Sequence, residues 1–415
     1  LKIHGMIYKI RRMSGFAFIL LRTANDIIQC VYDETYAKFN LDELKDNMAV
    51  IFNGEKITDE RSKAGYEIRV ETCEILSSPA DEAPIVINNK QINAAIDTVL
   101  DYRPLTLRNN KERAIFKLQE GISRGFRNFF HGNGFTEIHS PKIVYSGAEG
   151  GANIFKLDYF GKEAYLAQSP QFYKQIMTGV FERVYEIAPV FRAEKHHTSR
   201  HINEYTSVDA EIGFIEDFRD IIDTEIKMLA ETFTFLNEHY ANELELWNVT
   251  IPSVVDIPLI RFDEAKELVS STYKREITDF EDFEPEEEKL LCEIIKKKYN
   301  NDFVFVTHYK SSKRPFYAMD SDDSIYTESY DLLFRGMEIT TGGQRIHDYN
   351  KQVEKMLSRD MNIDSFASYL MAHKYGLPPH GGFGLGLERF TACLLNLTNV
   401  RSATLFPRDT ERLEP

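Results

Sequence analysis

The chain has 415 residues, a formal net charge of −15 and 43% hydrophobic residues. That length suits two or three domains with a sizeable core, and the composition is that of an ordinary globular chain. The acidic balance excludes binding nucleic acid through bulk charge, although not through a local basic groove. No apolar run is long enough to span a bilayer, so no membrane partner is expected.

The sequence starts at Leu1, not methionine, so further residues are expected upstream. Its first stretch, "LKIHGMIYKIRRM", alternates like a strand and is not a signal peptide. Residues 1–78 read as short strands. "FAFILLR" and "IIQCVYD" are rich in β-formers, and "YEIRVETCEIL" puts Tyr66, Ile68 and Val70 on one face and Glu67, Arg69 and Glu71 on the other. Gly15, Asn53-Gly54 and Gly65 supply turns, and one helical segment is expected near residues 41–47. Several short strands around one helix suit a small barrel of the OB type. Residues 79–105 are expected to be a linker, because "SSPADEAP" has linker composition.

A longer domain, residues 106–415, follows. Ile115, Leu118, Ile122, Phe126 and Phe129 keep helical spacing, and Gly132-Asn133-Gly134 ends that helix. "FTEIHSPKI" reads as a strand interrupted by Pro141. Further strands are expected at "VYEIAPVF", "TSVDAEIGF", "DFVFVTHY" and "LLFRGMEIT", and helices near 218–240, 286–299 and 387–397. The acidic run "DFEDFEPEEEK" reads as a solvated segment and helix start. Strands and helices do not alternate regularly, so an α+β domain with an antiparallel sheet flanked by helices is expected. Cys30, Cys73, Cys292 and Cys393 are far apart and form no ligand spacing, which suits free thiols in a reducing cytoplasm.

Two stretches carry candidate chemistry. In "FRAEKHHTSRHINEYTSVDAEIGF", residues 191–214, a strand, a polar loop and a returning strand follow one another. The loop holds Arg192, Glu194, Arg200 and His201. Read alone, it fits a phosphate clamp and a solvated hairpin equally well. On the returning strand, Asp209 and Glu211 share the face opposite Val208, Ala210 and Ile212. In "GGFGLGLERF", residues 381–390, Gly382, Gly384 and Gly386 strip one strand face of side chains. A flat ring or another backbone can then approach closely. This is not a dinucleotide fingerprint, because Arg389 takes the place of the third glycine.

Together, "HSPKI", "VFRAE…RHINEYTSVDAEIGF" and "GGFGLGLERF" resemble motifs 1, 2 and 3 of the class II aminoacyl-tRNA synthetases, in order and suitably separated. The resemblance covers nearly the whole chain. The N-terminal segment is similar to the OB-fold anticodon domain of the subclass that holds the aspartyl, asparaginyl and lysyl enzymes. The resemblance implies ATP and tRNA as substrates and a homodimer built on motif 1. It also implies an ATP site on an antiparallel sheet, with Arg192, Ala193, Glu194, Arg200, His201, Ile202, Tyr205, Glu338, Gly384, Gly386, Leu387, Glu388 and Arg389 as its residues. Arg192 would grip the α-phosphate, Arg389 would cover the adenine, and Tyr205 would stack on its other face, where many relatives carry Phe. Arg192, Glu338 and Arg389 are the catalytic candidates. Glu338 and Thr341 would hold Mg²⁺, which requires a bend near Thr341-Gly342-Gly343, since these positions face opposite ways on a regular strand.

Amino-acid preference comes from "AQSPQFYKQ" and "MEITTGGQRIHD". Lys174 and Arg345 suit a carboxylate side chain, a combination that resembles the aspartate-specific members, which charge tRNA-Asp with L-aspartate. Ser169, Gln171, Arg192, Asp209, Thr341 and His380 complete that pocket by resemblance. Glu149, in the glycine-rich "SGAEGGAN", would reach the substrate ammonium. Phe18, Gln29 and Glu67 match anticodon-reading positions, although Phe18 fits a barrel core as well. The short spacing between motifs 2 and 3 leaves no room for a large extra domain, which favours an archaeal or eukaryotic cytosolic type. An asparaginyl enzyme and a non-catalytic RNA-binding paralogue are the rival readings. Lys174 speaks against the first, and intact Arg192, Glu338 and Arg389 against the second.

Overall fold

A computed structural model describes all residues except 61, 63–64, 146–152, 196–197, 324 and 415. The chain divides into two compact units, Leu1–Ala95 with Pro104–Asn110, and Ile96–Arg103 with Lys111–Pro415.

The first unit is a closed five-stranded barrel. Its strands are β1 (Lys2–Arg12), β2 (Phe16–Arg22), β3 (Ile27–Asp33), β4 (Ala49–Thr58) and β5 (Tyr66–Ser77), joined in the order β1-β2-β3-β5-β4. Alternation decides which side chains go in: Ile19, Leu21, Cys30, Val50, Phe52, Ile68 and Val70 fill the interior. The helix expected near 41–47 is only a single turn, Leu41–Glu43, capped by the Asn40 side chain.

The stretch read as a linker is shared between the units. Residues up to Ala95 group with the barrel. There Asn109 Nδ2 donates to the carbonyls of Ile87 (2.7 Å) and Asn89 (2.8 Å), and Tyr8 donates to Ile87 at 3.1 Å. A composition typical of linkers thus coexists with backbone carbonyls tied down by buried amide and phenol groups. Ile96–Asp101 is helical and belongs to the second unit.

The second unit is built on an eight-stranded sheet. Its strands are β6 (Thr136–Glu137), β10 (Arg183–Phe191), β11 (Glu204–Gly213), β12 (Leu259–Arg261), β13 (Phe303–Thr307), β14 (Ser329–Phe334), β15 (Met337–Arg345) and β16 (His380–Gly386). They run in the order β12-β13-β14-β15-β16-β11-β10-β6. The inner pairs are antiparallel, and only the end pairs, β12 with β13 and β6 with β10, are parallel. Two strands not expected from the sequence, β8 (Lys156–Tyr159) and β9 (Lys162–Leu166), form a small separate sheet with β7 (Ile143–Val144). The "FTEIHSPKI" strand shrinks to β6 and β7, with Pro141 between them.

The long helices Asn110–Gly132 and Arg219–His239 agree with their apolar periodicity. Their phenylalanines meet the sheet and the last motif's helix, Leu387–Leu394, with Phe126 and Phe233 rings 5.7 and 5.9 Å from that of Phe390. The acidic run departs from its reading. It does start a helix, Pro285–Tyr299, with a Glu284/Glu287 capping box. Yet Glu287 and Glu288 are buried at 1% and 8% exposure. Glu287 is paired with Lys266 at 2.6 Å, so charge here marks an internal ion pair, not a solvated face. Among the described residues, no helix is long and apolar enough to cross a membrane.

Candidate active site

β16 lies between β11 and β15 in the middle of the large sheet, and its register explains its glycines. Gly382 pairs with Glu211 on one side and Gly343 on the other; Gly384 pairs with Asp209 and Thr341. A Cβ on Gly382 would stand 2.0 Å from the Ala210 carbonyl oxygen and 2.2 Å from Glu211 Oε2. A Cβ on Gly384 would stand 3.2 Å from Asp209 Oδ1. The bare strand face therefore has two uses. Gly384 and Gly386 line an open cavity, whereas the space above Gly382 is taken by a neighbouring carboxylate.

That cavity has a volume of about 1270 Å³. It gathers most residues singled out from the sequence: Ser169, Gln171, Lys174, Arg192, Glu194, Arg200, His201, Ile202, Tyr205, Asp209, Glu338, Thr341, Arg345, Gly384, Gly386, Glu388 and Arg389. His380, Ala193 and Leu387 are not in its lining, and Glu149 lies outside the described residues. Phe18, Gln29 and Glu67 belong to the barrel unit.

Beside the glycine strand, four charged side chains are buried together, three of them in the cavity lining. Lys174, on the helix Gln171–Phe181, sets its Nζ 2.9 Å from Asp209 Oδ1 and 3.4 Å from Glu211 Oε2, and donates to the Phe383 carbonyl at 2.9 Å. Arg345 Nε donates to Glu211 Oε1 at 3.0 Å, and its Nη2 to the Gly382 carbonyl at 2.9 Å. Ser207 Oγ donates to Asp209 Oδ2 at 2.5 Å. Lys174 is 1% exposed and Glu211 is fully buried. Two cations with two carboxylates balance their charge in a region shielded from water, where each interaction is strengthened.

Elsewhere in the lining, Glu338 and Thr341 meet. Thr341 Oγ1 donates to Glu338 Oε1 at 2.9 Å. The irregularity that allows this is a bulge two residues earlier than expected. Leu332 pairs with Thr340 and Leu333 with Glu338, which leaves Ile339 as the extra residue. Burial alone would raise the Glu338 pKa, but Arg389, the Thr341 hydroxyl, Arg314 and Arg192 together hold it below its ordinary value. Arg389 Nη1 donates to the Glu338 carbonyl at 3.1 Å. Glu388 turns the other way and accepts the Thr206 N–H with both carboxylate oxygens at 3.0 Å, clipping the helix start to β11. Burial pushes its carboxyl up to about 7.

The polar loop between β10 and β11 is held by Asn203, whose side-chain amide donates to the carbonyls of Arg192 (2.8 Å) and Glu194 (3.0 Å). Asn153 donates to Glu194 at 3.2 Å and accepts the Ala193 N–H at 3.0 Å. Arg200 bonds Glu288. The result is a cavity that brings a charge-balanced cluster, several arginines and a glycine floor together.

A sequence model of the tRNA synthetases class II (D, K and N) matches residues 95–410, and one of the OB-fold nucleic acid binding domain matches residues 1–76. The chain belongs to the class II tRNA synthetases. It is 44% identical to an aspartate–tRNA(Asp/Asn) ligase of Deinococcus radiodurans, over 100% of this chain and 95% of the relative. It is 38% identical to an aspartate–tRNA(Asp) ligase of Thermococcus kodakarensis, over 100% and 96%. Among solved structures it is similar to asparaginyl-tRNA synthetase from Pyrococcus horikoshii with asparaginyl-adenylate, at a TM-score of 0.92, 30% identity and coverage of 100% and 96%. It is also similar to the aspartyl-tRNA synthetase of Entamoeba histolytica, at 0.87, 29%, and 100% and 90%.

Several site residues escaped the sequence reading. Glu211 was visible as a face-mate of Asp209, but nothing in the strand pattern marked it as the carboxylate shared by both cations. Asp331 sits in an all-buried strand, 2.8 Å from Arg314, with its carboxyl pushed up to about 6 by burial and by Glu338. An acid inside "SYDLLF" was a readable signal. Arg314 and Glu288 come from distant loop and helix positions and gave none.

His380 is fully buried, with Nδ1 2.9 Å from the Pro378 carbonyl. Burial pushes its imidazole from 6.5 down to about 4, against the pull of the Glu211 charge. It is therefore neutral at pH 7. The stability gained by keeping it neutral is present above pH 6.5 and is lost as pH falls from there through about 4, because the unfolded chain binds the proton first. The expected outcome is a folded-state ring titration near 4 by NMR, with a shallower acid-side loss of stability in His380→Gln. A ring titrating near its ordinary value would contradict this.

Proposed function

We propose that the protein activates L-aspartate with ATP and transfers it to the 3′-end of tRNA-Asp, with the residues of this cavity in the following roles. The observation that carries the reading is the pair of buried cations, Lys174 and Arg345, held on Asp209 and Glu211. A side-chain carboxylate entering there meets the Lys174 and Arg345 cations that line the cavity, whereas an amide of nearly the same size points N–H groups at their donors. Ser169, Gln171, Thr341 and Glu149 complete the amino-acid contacts, with Glu149 on the ammonium.

ATP lies along the floor. Gly384 and Gly386 let the adenine approach the strand, with Arg389 on one face and Tyr205 on the other, Glu194 at its edge, and Ala193, Ile202, Leu387 and Glu388 shaping the surroundings. The aspartate α-carboxylate oxygen attacks the α-phosphorus, a new P–O bond forms, and the bond to pyrophosphate breaks. No side chain attacks. Arg192 stabilises the charge that builds on the α-phosphate, and Arg200 and His201 hold the outer phosphates. Glu338 and Thr341 offer two oxygen ligands on one face, with Glu338 kept ionised by its cationic neighbours, which fits Mg²⁺. When bound, Mg²⁺ would neutralise phosphate charge.

In the barrel, Gln29 Nε2 donates to Glu67 Oε2 at 3.0 Å, and Phe18 stands edge-on to the exposed Phe16 ring at 5.5 Å. These groups offer stacking and edge recognition to anticodon bases. A homodimer is proposed on residues 115–145, where the large sheet ends at the short edge strand β6. The proposed compartment is the cytoplasm, consistent with four free cysteines. A second reading, that tRNA-Asn is charged as well, is favoured by one observation: relatives 44% identical to this chain carry names covering both tRNAs.

The function is tested by pyrophosphate exchange with aspartate and asparagine in parallel, followed by charging of tRNA-Asp and tRNA-Asn transcripts. Exchange with asparagine alone would overturn the reading. Arg345→Leu should lower kcat/KM for aspartate by on the order of 10²-fold at constant ATP affinity, with Lys174→Met also severe, because one-sided loss strands a buried carboxylate. A change of only a few-fold would move the carboxylate pocket elsewhere. Glu338→Gln should keep the fold and lose most adenylate formation; normal exchange would remove Glu338 as a ligand. Gln29→Ala and Glu67→Ala should reduce charging while tRNA-free exchange stays nearly intact, and equal losses in both assays would make the barrel contacts structural.

A further inference from the structure

Glu288 lies in the first turn of the helix Pro285–Tyr299, outside the strands that carry the cavity floor. Its carboxylate is nevertheless drawn to the phosphate end. One oxygen, Oε2, accepts two hydrogen bonds: one from Arg200 Nη2, and one from the backbone N–H of Glu338 at 3.1 Å. Arg200 comes from the loop between β10 and β11, and Glu338 from the bulged start of β15. A single carboxylate oxygen thus joins the two elements that face the outer phosphates.

The helix itself does not need Glu288. Its start is capped reciprocally by Glu284 and Glu287. Its docking on the neighbouring helix, Phe262–Tyr273, has a buried ion pair of its own, Lys266 with Glu287 at 2.6 Å. Glu288 belongs to neither arrangement, and a buried carboxylate without a task is costly.

We infer that Glu288 is a positioning residue of the nucleotide site, fixing the Arg200 guanidinium relative to Glu338 before ATP arrives. This rests on the reading of the cavity as an ATP site. A loop arginine has many rotamers, and immobilising it on binding costs affinity. Tethered at Nη2, it is ordered in advance. A guanidinium carries five N–H donors, more than one carboxylate oxygen takes up, so the tether is compatible with phosphate contact. Because the same oxygen grips the Glu338 backbone, the spacing between the arginine and the proposed metal ligand is set by one carboxylate.

The test is ATP binding measured by calorimetry on the full chain, with and without Mg²⁺, for the parent, Glu288→Ala, Glu288→Gln, Arg200→Ala and the double variant Glu288→Ala/Arg200→Ala. Glu288→Ala should raise the Kd for ATP by about 10-fold, the scale of one lost charge-assisted hydrogen bond. Glu288→Gln, which keeps an acceptor for the Glu338 N–H, should lose less. The Kd for aspartate should stay within about two-fold in both. In the Arg200→Ala background, Glu288→Ala should add less than about two-fold, because its partner is already gone. Full additivity, or an ATP affinity in Glu288→Ala within about two-fold of the parent, would overturn the inference while leaving the ATP reading in place. An Arg200→Ala variant that binds ATP like the parent would overturn both. If Glu288→Ala does not fold, the same comparisons on Glu288→Gln decide.

Discussion

The fold of the second unit is organised around one buried arrangement of charge: Lys174, Asp209, Glu211 and Arg345. It draws a helix and two strands to the strand β16, whose carbonyls at Gly382 and Phe383 accept from the two cations. Burying four charges is expensive, and one-sided removal leaves an uncompensated ion. The arrangement persists because every member has an opposite partner and the cations also reach backbone oxygen. It imposes its own constraint on the sequence, since only glycine at 382 leaves room for the Glu211 carboxylate. A wall of ordered, mutually paired charges distinguishes ligands by hydrogen-bond polarity where size would fail.

The Glu338 side of the cavity is ordered by different means. There the chain relies on a bulge at Ile339, which brings Glu338 and Thr341 to one face, and on clips that cross between elements. Glu388 fixes the last motif's helix to β11, Asn203 holds the loop of Arg192 and Glu194, and Arg359 holds the carbonyls of Arg314 and Ser311. These contacts leave a set of cations around a carboxylate that stays ionised. A polyanion entering the cavity meets groups already oriented, which reduces the ordering cost of binding.

Behind the sheet, a buried acid supports the floor. Glu225, on the helix Arg219–His239, accepts the Tyr330 hydroxyl at 2.9 Å, and burial pushes its carboxyl up to about 7. The Tyr330 ring fills the space where Gly342 lacks a side chain; a Cβ there would be 2.5 Å from it. Glycines in β15 and β16 thus serve packing on the back face and close approach on the front, and the two faces cannot be altered independently.

Local pattern determined much of this protein. Period-two alternation was enough to write the barrel strands and to set Asp209 and Glu211 on one face. Helical spacing was enough for the helices at 110–132 and 219–239, because one-sided burial is written into the chain wherever an element packs on a single core. The second and third motifs were enough to bring Arg192, Arg200, Asp209, Gly384 and Arg389 to one cavity. Other features were decided only by tertiary structure, since each depends on a partner far along the chain. The division of residues 79–110 between two units turns on which carbonyls Asn109 and Tyr8 reach. The burial of Glu287 and Glu288 in an acidic run turns on Lys266 and Arg200. The bulge at Ile339 turns on strand register, and the neutrality of His380 on the depth at which β16 lies. Sequence records what a residue can do; a buried charge or a shifted register acquires its role only from the neighbours that the fold brings to it.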